Sequence, residues 1–446
     1  MLILFLKIKT WLIDHLHSRK MWLEVGPIIL LMGLTLPILA SQPGTVDHDA
    51  IRYMTWALNI LEGRGYTDID GTMVTVRPPL YPLLLAALFH LAGASIFTAV
   101  WITKIFGICF NLLITYAIGR RLYGRVTGLL AGILLNGTIG LATLYNEIKI
   151  DPIIIVFLNL SILFLITAYQ EKKLPLAILA GFLLGITFLG KDTALLWLPL
   201  PLYLILVTPS FRTKQHIEMA YLIWLLFIFT LVPWWVWFYI QTGNIYMAGQ
   251  ITKSWGWMIK WFLLALPFLV FGLWLLRQAI FRRLSFLGRL PGWFYFGVGF
   301  ISWAAISRLF LILLWWGWVQ PLDRFVIAGI EFFQKTLVEH LEGFQFVPWA
   351  WLLIMILAIS RKQEQQPDRA LLFLGMTCIP IWLFISDFPD TSVGRFDEIR
   401  QMLALVSVSY LALARTITFS IETILNLIFI LGRRRFLFEA VLTTSL

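Results

Sequence analysis

Residues 152–169 read PIIIVFLNLSILFLITAY, a run with no charged side chain. A helix that crosses the hydrocarbon of a bilayer needs about 20 mostly apolar residues. Only helices and closed barrels satisfy their backbone in lipid, and this run is continuous rather than alternating, which selects the helix. Working outward, comparable runs recur near 22–40, 96–118, 126–145, 174–190, 194–208, 219–240, 256–276, 291–318, 346–360, 370–386 and 399–414. The chain as a whole is 60% hydrophobic and 13% charged, where soluble proteins are about 45–50% apolar and about 25% charged. The fold class is therefore all-α: a polytopic membrane protein of about twelve transmembrane helices. Residues 1–21 read as an interfacial segment, 22–415 as the transmembrane domain and 416–446 as an interfacial tail. The long stretch 41–95 is a first loop carrying amphipathic helices.

The formal net charge is +11 over 446 residues, and its distribution matters more than its sum. Residues 1–21 with Glu24, the turns 120–125, 170–173, 208–218, 277–289 and 361–369, and the tail from 415 together hold 22 Lys/Arg and 8 Asp/Glu. The rest of the chain holds 13 basic and 16 acidic residues. The bias of Lys and Arg places the first set in the cytoplasm. The 41–95 loop and the turns at 145–151, 241–255, 319–345 and 387–398 then lie outside. A basic stripe for nucleic acid is not what this pattern describes. Cys109 and Cys378 stand alone inside apolar runs, with no metal or disulfide spacing. No GxxxxGK[ST] loop is present, which argues against an ATP-driven pump.

Charged residues next to hydrocarbon are costly and tend to be functional, and five clusters stand there. In the first loop, Asp49 lies at a helix start with Tyr53 one turn later on the same face. Either Asp47 or Asp49 can cap that helix. Arg77 precedes Pro78-Pro79, which fix an extended approach to the next helix and hold a cation at the membrane lip. Glu147 and Asp151, four residues apart, would share a helical face, with Lys149 between them and Pro152 in the first turn of the next span. Lys191-Asp192 forms a tight connection between two apolar spans, and Lys191 can pair with its neighbour. Arg395 sits at the start of the final span. Asp47, His48 and Asp49 could offer ligands to a divalent cation, but adjacent side chains at a helix start rarely converge on one ion. No metal site is assigned, and a divalent cation is the only cofactor left open. Carboxylates facing an outer cavity ringed by Arg77, Lys191 and Arg395 suit proton removal from an acceptor hydroxyl beside a phosphate leaving group.

Asp49-x-x-x-Tyr53, Leu61-Glu62-Gly63-Arg64-Gly65-Tyr66 and Arg77-Pro78-Pro79-Leu80-Tyr81-Pro82 together resemble the first loop of the GT-C superfamily. The similarity is greatest to the protein O-mannosyltransferase and aminoarabinose-transferase branch. Gly185 to Lys191-Asp192, Pro233-Trp234-Trp235 and Arg395-Phe396 resemble later elements of that group in order. The resemblance implies a glycosyltransferase that moves a sugar from a polyprenyl-phosphate donor to an acceptor hydroxyl, on the non-cytoplasmic face of a bacterial plasma membrane. It implies catalytic carboxylates at Asp49 and Asp151, and substrate contacts from Arg77, Tyr53, Glu147, Lys191 and Arg395. The family's first loop often has Asp followed by Glu, whereas Ala50 follows Asp49, so Asp47 stays open as an alternative. Its partners would be the lipid-linked donor, an acceptor that is a lipid, a glycan or a protein, and membrane lipids. A transporter or flippase is the alternative function, although no repeated halves are visible.

Overall fold

The computed structural model describes residues 19–40, 46–74, 77–136, 147–191, 197–198, 200–207, 209–211, 213–243 and most of 410–425. Among these residues the regular elements are helical, apart from an isolated bridge between Thr67 and Met73. In chain order they are α1 (Arg19–Ala40), α2 (His48–Leu61), α3 (Leu80–Ala92), α4 (Ile96–Tyr123), α5 (Arg125–Asn136), α6 (Asp151–Glu171), α7 (Leu174–Phe188), α8 (Leu200–Val207) and α9 (Lys214–Thr242). Helices α4, α6 and α9 are long and apolar enough to cross a membrane. Helices thus stand where the expected spans at 22–40, 96–118, 152–169, 174–190 and 219–240 fall, with ends a few residues away. The spans expected from 256–276 to 370–386 lie outside the described residues, as do residues 1–18 and most of 399–414 and of the tail.

The chain's own punctuation sets the helix ends. The Asp47, Ser95 and Thr213 side chains accept from Ala50, Thr98 and His216 amides and so cap α2, α4 and α9. Lys172 closes α6 in the left-handed conformation (φ 55°), and Pro175 opens α7 where an amide is not needed. Helix α6 is the centre of the bundle. It packs along α7 and against α4, and α7 packs in turn against α9. The apolar core runs through Ile162, Leu165 and Ala168 of α6, Ala177 and Leu184 of α7, and Ile223 and Phe227 of α9. Inside α4 a π-helical stretch, Ile105–Phe110, precedes Asn111, whose Oδ1 accepts a 2.7 Å hydrogen bond from Asn159 of α6. Interhelical polar contacts of this kind hold helices together in lipid, where burial gives little drive.

At one end of the bundle the groups are basic. Arg121 donates to Gln170 at 2.5 Å and pairs with Glu171 at 2.6 Å, tying the end of α4 to the end of α6. His216 Nε2 lies 2.9 Å from the Tyr169 carbonyl, and Gln215 donates to the Lys172 carbonyl, so α9 begins where α6 stops. Segments α2, α3, and the 62–79 loop sit at the opposite, loop end.

Close approach of α7 to α9 depends on two glycines a turn apart. A Cβ at Gly181 would meet the Ile223 backbone, its Cα at 2.7 Å, and one at Gly185 would meet Thr230 Cβ at 2.6 Å. Gly181→Leu is therefore expected to destabilise the protein by about 1–3 kcal/mol or more through overpacking. Gly26→Ala in α1, where a Cβ meets nothing within 4 Å, is expected to be neutral or slightly stabilising. Thermal unfolding of the two variants in detergent checks the contrast, and equal melting temperatures would contradict it.

Candidate active site

At the loop end, Asp47 and not Asp49 is the cap of α2. Its Oδ1 accepts from the Ala50 amide at 2.8 Å, and its Oδ2 lies 3.5 Å from Lys149 Nζ. Both oxygens are thereby engaged in holding structure. Asp49, two residues on in the first turn, keeps a partly exposed carboxylate with Oδ2 3.7 Å from Arg77 Nη2. The Arg77 side chain is 46% exposed.

Arg77 is held from behind. The Tyr66 hydroxyl donates to the Arg77 carbonyl at 2.9 Å and lies 3.3 Å from that of Pro78. Burial, reinforced by nearby Tyr53, pushes this phenol well above its usual range against the opposing pull of Arg77, so Tyr66 remains a donor. Tyr66 itself is fixed because the 66–74 turn is closed by Val74 N to Tyr66 O at 3.1 Å and Asp68 N to Thr72 O at 2.7 Å. Asn59 of α2 donates to the Thr67 and Asp68 carbonyls of the same turn. Pro79 adopts helical angles (φ −84°, ψ −7°) as the residue preceding α3, which departs from the fully extended approach expected for both prolines. The Leu80 amide then donates to the Leu189 carbonyl at 3.2 Å, joining this segment to the turn that carries Lys191.

Asp151 is the first residue of α6 and is 3% exposed. Lys191 Nζ donates to its Oδ1 at 2.9 Å. The alternative partner, Asp192, lies outside the described residues, as does Arg395. Gly190 lets the two segments meet, since a Cβ there would run into Ile154 of α6 and Leu80 of α3. Glu147 and Asp151 do not share a helical face. Helix α6 begins at Asp151, with Pro152 in its first turn where no amide is needed, so Glu147 lies before the helix. Glu147 instead pairs with the buried Lys149, which also meets Asp47. Tyr53 is buried below Asp49, its ring edge-on to Tyr81 at 4.9 Å and Trp56 at 5.4 Å.

The fold therefore assembles Asp47, Asp49, Arg77, Glu147, Lys149, Asp151 and Lys191 from four separate stretches at one end of the bundle, with Tyr53 beneath. No group of three or more His, Cys, Asp and Glu side chains could hold a metal ion among the described residues. In the sequence Lys149 stands only between Glu147 and Asp151. Its link to Asp47 joins residues about a hundred positions apart, and no spacing signals that.

Residues 76–237 match the family described as dolichyl-phosphate-mannose-protein mannosyltransferase. Among solved structures, the archaeal oligosaccharyltransferase AglB from Archaeoglobus fulgidus, in complex with an inhibitory peptide and a dolichol-phosphate, aligns over 92% of this chain with a TM-score of 0.62 at 13% identity. The chain shares the fold of this oligosaccharyltransferase. It spans about half of AglB, 52% of that length. The apo form of the same oligosaccharyltransferase gives a TM-score of 0.56 at 14% identity over 92% of this chain and 52% of its own. ArnT from Cupriavidus metallidurans, bound to undecaprenyl phosphate, aligns over 86% of this chain and 78% of its own, at 14% identity and a TM-score of 0.45. No curated protein sequence matches. These likenesses bear on the fold, and the charged pairs at its loop end are read on their own geometry.

The Asp151–Lys191 pair offers a direct check of that geometry. Lys191→Met leaves a carboxylate buried without this cation and is expected to cost about 3–5 kcal/mol. Adding Asp151→Asn to the same chain should return most of the loss. A double-mutant cycle on thermal stability reads the coupling, and additive effects would show that the two groups do not depend on each other.

Proposed function

We propose that the chain is an inverting glycosyltransferase that moves a hexosyl or pentosyl group from a polyprenyl-phosphate donor to an acceptor hydroxyl. The observation that carries this reading is the Asp49–Arg77 juxtaposition at 3.7 Å, with Asp47 already committed to the helix cap and to Lys149. A carboxylate beside an exposed guanidinium supplies a base and a phosphate-binding cation in one place. Asp49 takes the proton of the acceptor hydroxyl. The acceptor oxygen forms a bond to the anomeric carbon as the bond from that carbon to the phosphate oxygen breaks. The electron pair leaves with the polyprenyl phosphate, whose charge Arg77 stabilises through a guanidinium suited to bidentate phosphate contact. Lys191 neutralises Asp151 and orients it toward the same end. Arg395, assigned from sequence, would be a second cation for the phosphate.

Sidedness follows from charge. Arg120, Arg121, Arg125, Lys172, Lys173 and Lys214 gather at the end opposite the site, which supports a reading with that end in the cytoplasm and the site outside. The fold shared with a protein solved with dolichol-phosphate supports a lipid-phosphate donor. The acceptor is a hydroxyl of a lipid, a glycan or a protein.

The test uses protein in lipid nanodiscs, a panel of radiolabelled polyprenyl-phosphate sugars and a mixed lipid extract as acceptor, with release of polyprenyl phosphate as the readout. Asp49→Asn is expected to lower release by about 10²–10⁴-fold with folding intact. Asp47→Ala should instead lower thermal stability, through the lost cap, by about 1 kcal/mol. Full activity in Asp49→Asn would remove Asp49 from the base role.

A further inference from the structure

We propose that the stacked indoles of Trp234 and Trp237 in α9 form a platform for the sugar ring of the donor, an inference that rests on the donor reading above. Their ring centroids are 4.8 Å apart with planes 27° from parallel. Both side chains are only partly buried, so the stack is not sealed inside the core. Tyr66 backs them, edge-on to Trp234 at 5.9 Å and tilted on Trp237 at 6.5 Å. The same Tyr66 donates to the Arg77 carbonyl at 2.9 Å. One side chain therefore links the indole pair to the cation assigned to the phosphate, just as one glycosidic oxygen links a sugar ring to its phosphorus.

A tryptophan of the interfacial belt presents its ring to headgroups. These two lie on each other and against a tyrosine of the 62–79 loop, on the side of α9 that meets the site. The ladder continues through Trp56, Tyr53 and Tyr81, so the platform is rigidly supported. Indole faces carry negative potential. That potential attracts the polarised C–H groups on one face of a pyranose or furanose, while an isoprene unit offers only unpolarised C–H. Aromatic character at 237 should therefore matter to the sugar and little to the lipid tail.

The experiment measures binding of undecaprenyl phosphate, and of its mannosyl, glucosyl, galactosyl and arabinosyl forms, to wild type, Trp237→Leu and Trp237→Phe in nanodiscs. Wild type is expected to prefer at least one glycosylated form over the bare lipid phosphate. Trp237→Leu should lose about tenfold of that preference, with bare-lipid affinity unchanged, and Trp237→Phe about threefold. The phenylalanine variant keeps the test decisive if the leucine variant does not fold. An unchanged preference in either folded variant would overturn the platform. So would equal loss of both lipid classes, which would make the pair a prenyl or packing contact. A wild type that binds all five equally also overturns it. A wild type that binds none of the five overturns the donor reading itself.

Discussion

A carboxylate at the head of a membrane helix is held only if a cation meets it. Asp151 is buried at the start of the most enclosed of the three long helices, and Lys191 reaches it from the turn after α7. Removing a charge from water costs several kcal/mol, and that cost forces the two segments together. The rest of the loop end follows from this contact. Once the Lys191 turn lies on α6, the Leu189 carbonyl is in place for the Leu80 amide, and α3 is anchored with Pro79 and Arg77 before it. Lys149 does the same for α2 by bridging the Asp47 cap to the residues preceding α6.

Aromatic packing provides the second restraint. Tyr81, Tyr53, Trp56, Tyr66 and Trp234 touch in sequence at centroid distances of 4.9 to 5.9 Å, joining α3, α2, the following turn and α9. Edge-to-face pairs of this kind add about 0.5–1.5 kcal/mol each beyond the area they bury. Charges set where the segments meet, and the rings set their angles. The opposite end of the bundle is joined differently, by Arg121 across two helix ends and by His216 on a backbone carbonyl.

Much of this was legible in the sequence, for reasons tied to particular residues. The run 152–169 and its counterparts announce helices through length and continuity alone. Pro152, a first-turn proline, marks the start of α6 and leaves Glu147 before it. Asp49, Arg77, Asp151 and Lys191 stood out because ionised groups beside hydrocarbon need a reason. Pairings were not legible. Lys191 has Asp192 next to it in sequence and Asp151 next to it in space, and only the fold distinguishes them. The choice between Asp47 and Asp49 as cap turns on a single backbone amide. Trp234 and Trp237 carry a helical spacing that many membrane spans share, so nothing in the chain marked them as partners of Tyr66.

The π-helical stretch at Ile105–Phe110 bears on how α4 serves two neighbours at once. Upstream of it Thr103 lies 3.2 Å from the Tyr81 hydroxyl, and downstream Asn111 accepts from Asn159. A wider turn adds a residue to the helix without adding a full turn of rise, and one residue corresponds to roughly 100° of rotation. The two halves of α4 are therefore out of phase with each other, like the offset scales of a vernier. The half beside the charged cluster is indexed to α3, and the half in mid-bundle is indexed to α6. A uniform α-helix of the same sequence could match either neighbour but not both.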